Sequence, residues 1–314
     1  MMPPTTIPRV VWRRYREDMI RLHPDRGARV VSRERHELKA DKLRTTLLNR
    51  KGQTVGFVLH PKVTSAGIEA TTLYLTPENR TARAFREAME TLLQQSSIFT
   101  ITAWSPGLNP YVAGPILRRL GFRRAHREWL DLNPMRFRAD PAARDSPEIR
   151  LLRKSDEKDI VELSSRAYAH HIDSAFGPGG DVRVRAPDYV RELFANRRRP
   201  IDYHCSFVYA RKGRLVGDVI VIKGDEGPHI MDLGVDPSNR GRGIGTALMH
   251  RALGALSSRR VKRVDLSVTV ENPTGARWLY RRMGFRRALG PPRWPGLWIN
   301  ETVRRRMGLR ISGE

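Results

Sequence analysis

A chain of 314 residues, 39% of them hydrophobic, has apolar material for two ordinary cores, and no apolar run approaches the ~18 residues of a membrane span. Its net charge of +25 is carried mostly by arginine and shared evenly between the halves, so it reads as a general field that speeds the approach of polyanions rather than as one nucleic-acid groove. Cys205 is alone, which excludes an intramolecular disulfide; with no positive stretch leading into an apolar run at the start, a cytoplasmic location is expected.

Residues 9–22 have the spacing of an amphipathic helix. Leu43–Asn49 and Thr54–His60 read as strands about Arg50-Lys51-Gly52-Gln53, a hairpin signal. Ile68–Leu75 predicts a third strand ending at Thr76-Pro77, because proline has no N–H for a ladder. A helix over Arg80–Gln94 puts Ala84, Phe85, Ala88, Met89 and Leu92 on one face. Phe99–Trp104 then predicts a strand, Val112–Leu120 a helix and Phe122–Leu132 a last strand. Asn133–Pro147, rich in Pro, Arg and Asp, reads as a linker. After it the programme restarts with strand Ile149–Arg153 and helix Asp156–Tyr168, capped by Ser155. An irregular loop at Phe176–Asp181 and a helix over 187–196 come next. Strands Ser206–Arg211 and Leu215–Lys223 turn at Lys212-Gly213. The chain goes on through strand His229–Val235, a helix from Ile244, strand Val264–Val270, helix Gly275–Met283 and a basic tail with Trp294 and Trp298. The expected class is α/β (α+β), with domains 1–133 and 148–314 joined by a linker at 134–147.

The halves are a duplication. Pro77-Glu78-Asn79-Arg80 aligns with Pro237-Ser238-Asn239-Arg240, and the run from Ile116 to Arg124 with that from Leu279 to Arg287. In this register Arg83 stands against Gly243, Phe85 against Gly245 and Leu117 against Tyr280.

The most informative stretch leaves strand His229–Val235 at Asp236-Pro237 and enters a helix through Arg240-Gly241-Arg242-Gly243-Ile244-Gly245-Thr246. A glycine turn opening a helix is an anion site, because bare N–H groups and the helix dipole both favour negative charge there. Glycines at 241, 243 and 245 do not make Gly-x-Gly-x-x-Gly, and no lysine follows them as the Walker motif requires. The segment resembles the acyl-CoA loop of the GNAT superfamily of N-acyltransferases, Arg/Gln-x-x-Gly-x-Gly/Ala, matched by Arg240, Gly243 and Gly245. The preceding Leu233-x-Val235-x-Pro237 matches as well. A second signature runs from Asn272 to Tyr280 and on to Gly284-Phe285, with one residue more between Asn272 and Tyr280 than in the commonest form. The likeness covers about 148–300, and with the repeat the chain resembles the tandem GNAT enzymes, mycothiol synthase among them.

That resemblance implies two tandem GNAT folds, each a mixed, mostly antiparallel sheet flanked by helices. In the C-terminal copy the central strands would splay between His229–Val235 and Val264–Val270. It implies an acetyl-CoA donor held by the backbone of Leu233 and Val235, by Arg240, Gly241, Arg242, Gly243, Ile244, Gly245 and Thr246 at the pyrophosphate, and by Asn272 at the arm. Tyr280 would be the general acid that protonates the departing thiolate, and a backbone N–H near Val235 would stabilise the oxyanion. A base must first take a proton from the acceptor ammonium. Asp232 and His229 are on the right strand, and alternation sets Asp232 opposite Leu233 and Val235.

The expected activity is N-acetylation of an amine, on a small molecule or on a protein N-terminus or lysine, with the N-terminal copy degenerate. Rival readings are a CoA-binding module without catalysis and an RNA-directed acyltransferase. Nucleic acid is the less favoured partner, and its motivation is the charge with Arg197-Arg198-Arg199 and Arg304-Arg305-Arg306. His170, His171 and Asp173 lack metal-ligand spacing, so no metal is expected, nor a membrane partner. The acceptor's identity and the oligomeric state stay open at this level.

Overall fold

The computed structural model describes residues 7–24, 27–41, 43–61, 68–95, 98–104, 110–138, 146–175, 182–195, 199–224, 227–288 and 297–306. The chain forms two compact units. One gathers Met1–His126, Ala175–Gly180 and Arg293–Leu309; the other gathers Arg127–Ser174, Asp181–Pro292 and Arg310–Glu314.

Unit one contains α1 (Arg9–Leu22), α2 (Gly27–Lys39), β1 (Leu43–Arg50), β2 (Gln53–Pro61), β3 (Ile68–Leu75), α3 (Ala82–Gln95), β4 (Ile98–Trp104), α4 (Pro110–Arg119) and β5 (Phe122–Ala125). From the chain's far end it adds β13 (Leu297–Asn300) and α9 (Glu301–Arg306). The sheet order is β1-β2-β3-β4-β13-β5, antiparallel except for β3 with β4. A parallel neighbour needs a crossover, which α3 supplies. Val11, Tyr15 and Met19 of α1 pack with Phe57, Leu59 and Tyr74 on one face. Phe85, Met89 and Leu92 of α3 pack with Val58, Leu73 and Leu75 on the other.

Unit two repeats the plan with β6 (Arg127–Leu132), β7 (Ile149–Leu151), α5 (Glu157–Ala167), α6 (Val182–Ala195), β8 (Phe207–Arg211), β9 (Arg214–Gly224), β10 (Gly227–Val235), α7 (Ile244–Ser258), β11 (Val264–Thr269), α8 (Ala276–Arg282) and β12 (Arg286–Arg287). Its order is β12-β6-β11-β10-β9-β8-β7, with β10 and β11 the parallel pair. Ile160 and Leu163 of α5 and Val190 and Leu193 of α6 pack with Ile220 and Ile222. Leu248, Ala252 and Leu256 of α7 pack with Val219, Val221 and Ile230 on the opposite face.

The duplication holds to the residue. Gly56, Phe57, Val58 and Leu59 pair with Leu75, Tyr74, Leu73 and Thr72; Gly217, Asp218, Val219 and Ile220 pair in the same register with Val235, Gly234, Leu233 and Asp232. Both hairpins turn on Lys-Gly with positive φ, 47° and 76° at Lys51-Gly52, 50° and 75° at Lys212-Gly213. Such turns match the twist of the strands they join.

Several expectations change. The last strand of the first half breaks at His126: β5 stays in unit one, whereas β6 joins unit two between β11 and β12. The supposed tail supplies β13, inserted between β4 and β5, and α9 after it. The units therefore do not follow the boundaries 1–133 and 148–314, because each sheet takes one strand from the other half of the sequence. Of the linker 134–147, residues 139–145 lie outside the described residues, as do the loop Phe176–Asp181, Trp294 and Arg197. Helix α2 was not foreseen; its buried positions are Gly27, Val31 and Glu34, too few to give an apolar stripe. Ser155 does not cap α5. It lies in a 3₁₀ turn, Lys154–Asp156, where Asp156 instead accepts from the Arg153 N–H at 2.8 Å and from Arg150 at 2.8 and 2.9 Å.

Candidate active site

β10 and β11 run parallel yet share two rungs, His229 with Asp265 and Ile230 with Leu266. Beyond these, β10 stays on β9 as far as Val235 opposite Gly217, and β11 stays on β6 as far as Thr269 opposite Arg127. Strands held by their outer neighbours and no longer by each other leave a wedge between them, with one backbone edge of each unmatched by the other. The Asp236 N–H donates to Val216 on β9 at 2.9 Å, so alternation turns the Val235 N–H toward the wedge. In unit one the corresponding pair, β3 and β4, is matched from Ile68 opposite Ile98 to Thr72 opposite Trp104 among the described residues.

A register shift at Met231 sets the side chains around this opening. It adds one residue to β10, so that Ile230 and Leu233 both face α7 while Asp232 turns to the α5 face. The expected opposition of Asp232 to Leu233 and Val235 is what the structure has.

Asp236 ends the strand by accepting from the Ser238 N–H at 3.1 Å and from Arg166 at 2.7 Å. Arg240 then folds back: its guanidinium donates to the Val235 carbonyl at 3.2 Å and the Ala167 carbonyl at 2.7 Å. Its side chain therefore fastens the loop to α5 rather than pointing out as a phosphate ligand. Arg80 repeats the first of these bonds, to the Leu75 carbonyl at 3.0 Å, in unit one. Gly241 and Gly243 have φ of 74° and 78° with open space where a Cβ would project. That conformation disfavours any side chain, and it leaves the backbone of the loop uncovered. The first α7 bond runs from the Ala247 N–H to Gly243, so the N–H groups of Ile244, Gly245 and Thr246 have no partner within the helix. Arg242 is exposed beside them. This arrangement suits a pyrophosphate.

Tyr280 of α8 is buried in the cluster beside Met283 and Phe285. Burial, and after it the charges of Asp232 and Asp173, raise its phenol above its ordinary value, so it is a protonated donor at working pH. Asp232 accepts from the Tyr168 hydroxyl. Burial pushes its carboxyl up to about 6, against the lowering effect of Tyr168 and of the Leu233 N–H, with Asp173 raising it further. Asp218, two rungs away on β9 and on the same face, is also buried; one of its oxygens has no partner, and desolvation with the Asp232 charge lifts it well above the carboxylate range. A Cβ on residue 234 would stand 2.4 Å from the Asp218 oxygen, so this pair requires Gly234. His229 offers a second proton acceptor on the same strand, with its Nδ1 bonded to Asp265 at 2.5 Å.

Sequence reasoning missed Asp218 and Tyr168. A lone acid inside Leu215–Ile222, otherwise apolar but for Gly217, was the available signal for the first; Tyr168 gave none. In unit one the positions of Asp218, Asp232 and Gly234 are held by Phe57, Thr72 and Tyr74, whose rings pack 5.5 Å apart in the core. Asn272 lies beyond β11, where its Oδ1 accepts from the Thr274 N–H at 2.9 Å and hydroxyl at 2.6 Å and bonds His171 at 2.8 Å. No cluster of three or more His, Cys, Asp or Glu suited to a metal occurs among the described residues, and none of their helices is long and apolar enough to cross a membrane.

Comparison with known proteins agrees with this geometry. Residues 202–287 match the model of the acetyltransferase (GNAT) domain. The chain is 32% identical over 231 residues to the mycothiol acetyltransferase of Clavibacter sepedonicus, covering 71% of each chain. Among solved structures it resembles the GCN5-related N-acetyltransferase of Sphaerobacter thermophilus, with a TM-score of 0.53, 18% identity and coverage of 93% and 90% of the two chains. A tandem GNAT protein from the clavulanic acid biosynthesis pathway is similar in fold, with a TM-score of 0.50, 15% identity and coverage of 94% and 95%. The chain belongs to the GNAT superfamily, in its tandem-domain form, and is an N-acetyltransferase that moves an acetyl group from acetyl-CoA to an amine.

Proposed function

We propose that acetyl transfer takes place in the wedge of unit two, on a small-molecule amine of the kind used by the mycothiol acetyltransferases, and that unit one holds no donor. The observation that carries the reading is the parting of β10 from β11 beside an uncovered glycine loop, with Tyr280 and Asp232 at its sides. The pyrophosphate rests on the N–H groups of Gly241 to Thr246, where the α7 dipole favours it. Leu233 and Val235 offer backbone partners to the pantetheine arm, and Asn272 an amide.

Asp232, as carboxylate, takes a proton from the acceptor ammonium directly or through water. The neutral amine attacks the thioester carbonyl, and the Val235 N–H stabilises the oxygen as it gathers charge. The tetrahedral species collapses and breaks the C–S bond. Tyr280 gives its proton to the thiolate and regains one from the amide nitrogen, so the net proton released is the one first held by Asp232. The kinship with mycothiol acetyltransferases favours a small acceptor over a protein or RNA.

A panel of amines incubated with acetyl-CoA, with free thiol as the readout, tests this. It contains the acceptor of the mycothiol acetyltransferases, other amino sugars and amino acids, and peptides with free N-termini or lysines. One small amine should exceed all peptides by about a hundredfold in kcat/KM, an advantage of roughly 3 kcal/mol. A peptide that leads the panel overturns the acceptor assignment, and thiol release with none of them returns the chain to a CoA-binding module.

A further inference from the structure

The segment that follows α5 does more than connect it to α6. Its side chains bond to both lips of the wedge and to the loop below it. The Tyr168 hydroxyl donates to Asp232 on β10, and Asp173 accepts from the hydroxyl of Thr269, the last residue of β11. His171 reaches Asn272, just past that strand, at 2.8 Å. At the segment's start the Ala167 carbonyl accepts from Arg240 at 2.7 Å, which ties in the glycine loop. The segment also bonds within itself. The His171 N–H donates to the Tyr168 carbonyl at 3.1 Å, and the two rings meet edge to face at 5.3 Å.

The proton on His171 follows from these bonds. Its Nδ1 accepts from the Asp173 N–H at 3.1 Å, so Nε2 carries the hydrogen and donates to Asn272 Oδ1. The same oxygen accepts twice from Thr274. With Oδ1 held by donors, the amide cannot flip, and Asn272 presents its Nδ2 hydrogens on the opposite side.

β10 and β11 share no rung beyond Ile230 and Leu266, so backbone bonds do not set their separation there. In unit one β3 and β4 are paired as far as Thr72 and Trp104 among the described residues. Its counterpart of Arg240, Arg80, spends the second bond on Asp18 of α1 instead of on a carbonyl after the helix.

We propose that Ala167–Asp173 is a strap that holds the parted strands at the separation the acyl-CoA arm requires, and that His171 is a positioning residue acting on the donor through Asn272. This rests on the donor site proposed above. A wedge already open and an amide already turned lower the ordering cost of binding, so His171 acts on donor affinity, while Tyr168 of the same strap also touches the proposed base, Asp232.

The test uses the full chain, with acetyl-CoA as the titrant in calorimetry and as the varied substrate in steady-state assays. His171→Ala should raise both Kd and KM for acetyl-CoA about tenfold and leave kcat at saturation within about threefold. His171→Gln, whose Nε2 donates where the ring did and whose Oε1 can accept from Asp173, should recover most of that loss. Thr269→Val keeps the shape of β11 and removes only the hydroxyl, and it should raise the same KM severalfold even if the alanine chain folds poorly. Asn272→Ala separates the two layers of argument. If it weakens acetyl-CoA binding while His171→Ala and Thr269→Val leave Kd within twofold, the strap is wrong and the donor site stands. If Asn272→Ala itself leaves Kd unchanged, the role assigned to Asn272 fails, and the inference about His171 fails with it. A loss confined to kcat in His171→Ala also overturns the proposal.

Discussion

Asp232 carries its charge in a place that resists it, and asparagine in its stead measures the cost. Burial lifts the carboxyl from 3.8 to about 6, so the folded chain binds this proton more tightly than the unfolded one. The sign is the reverse of the usual carboxylate case. Stability contributed at this site is highest below the unfolded value and falls as pH rises from about 4 to 6, after which the penalty is complete. A shift of about two units corresponds to roughly 3 kcal/mol. Asparagine keeps the Oδ1 that accepts from Tyr168 and loses the charge, while burial of its amide costs about 1 kcal/mol. At pH 8 Asp232→Asn should therefore be about 2 kcal/mol more stable than the parent, or about 4–8 °C higher in the melting of unit two. Below about pH 4, where both side chains are neutral, the difference should reverse to a deficit of about 1 kcal/mol, the cost of the amide. Thermal unfolding followed by circular dichroism from pH 4 to pH 8 makes the measurement. Acetyl transfer by the same variant should fall about a hundredfold at pH 7.5, the exchange of stability for activity expected of a buried catalytic charge. A melting temperature at pH 8 that is level or lower would refute the reasoning, because it would mean that Tyr168 and the Leu233 N–H stabilise the anion by more than burial opposes it. Loss of stability without loss of activity would shift the role of base to His229.

Tyr280→Phe keeps the ring and removes the hydroxyl; acetyl-CoA should bind within about twofold of the parent while kcat falls about a hundredfold, and a kcat within threefold would make Tyr280 a packing residue. One acetyl-CoA should bind per chain in calorimetry, and Gly243→Glu should abolish it through a strained φ of 78° and a like charge; two equivalent sites would contradict the reading that Arg83 and Phe85 in place of the loop glycines close unit one to the donor. Arg80→Ala removes one of the two guanidinium groups on the buried Asp18, leaving Arg21, together with the bond to the Leu75 carbonyl, and should destabilise unit one by about 1–2 kcal/mol in denaturant unfolding, with the donor affinity of unit two unchanged. RNA should bind weakly, without sequence preference and with a steep loss of affinity between about 50 and 200 mM salt; tight selective binding at physiological salt would replace the small acceptor with an RNA one.

The family and the tandem plan were legible in the residues, and so was a glycine turn opening a helix. The turn at Gly241 and Gly243 is read directly, because glycine is the residue that adopts positive φ without strain, and the repeat shows which copy lost Gly243 and Gly245, at Arg83 and Phe85. The order of strand, loop and helix follows in the same way from apolar spacing and from Pro237. Tyr280 was named from a motif and is found buried in the unit-two core, and Asp232 was named from its place on the strand that leads into the loop. Arg240 was expected at the pyrophosphate, and that its side chain turns back to the Val235 and Ala167 carbonyls was not in the sequence.

What the tertiary structure alone decided depends on partners distant in the chain. No local property of Phe122–Leu132 marks His126 as the point where one strand divides between two sheets, since alternation is the same on both sides; the choice lies in whether β13 or β11 offers the edge. The tail read as basic because Leu297–Asn300 is short, and a four-residue strand is stable only when β4 and β5 flank it. Asp218 and Tyr168 gained meaning from cross-strand register and from a bulge at Met231, and the strap from hydrogen bonds to Asp232, Thr269 and Asn272, 64 to 101 residues away in sequence. Periodicity reports which face of an element is buried. It does not report which other element covers that face, and the proton-bearing groups of this protein are set by that second choice.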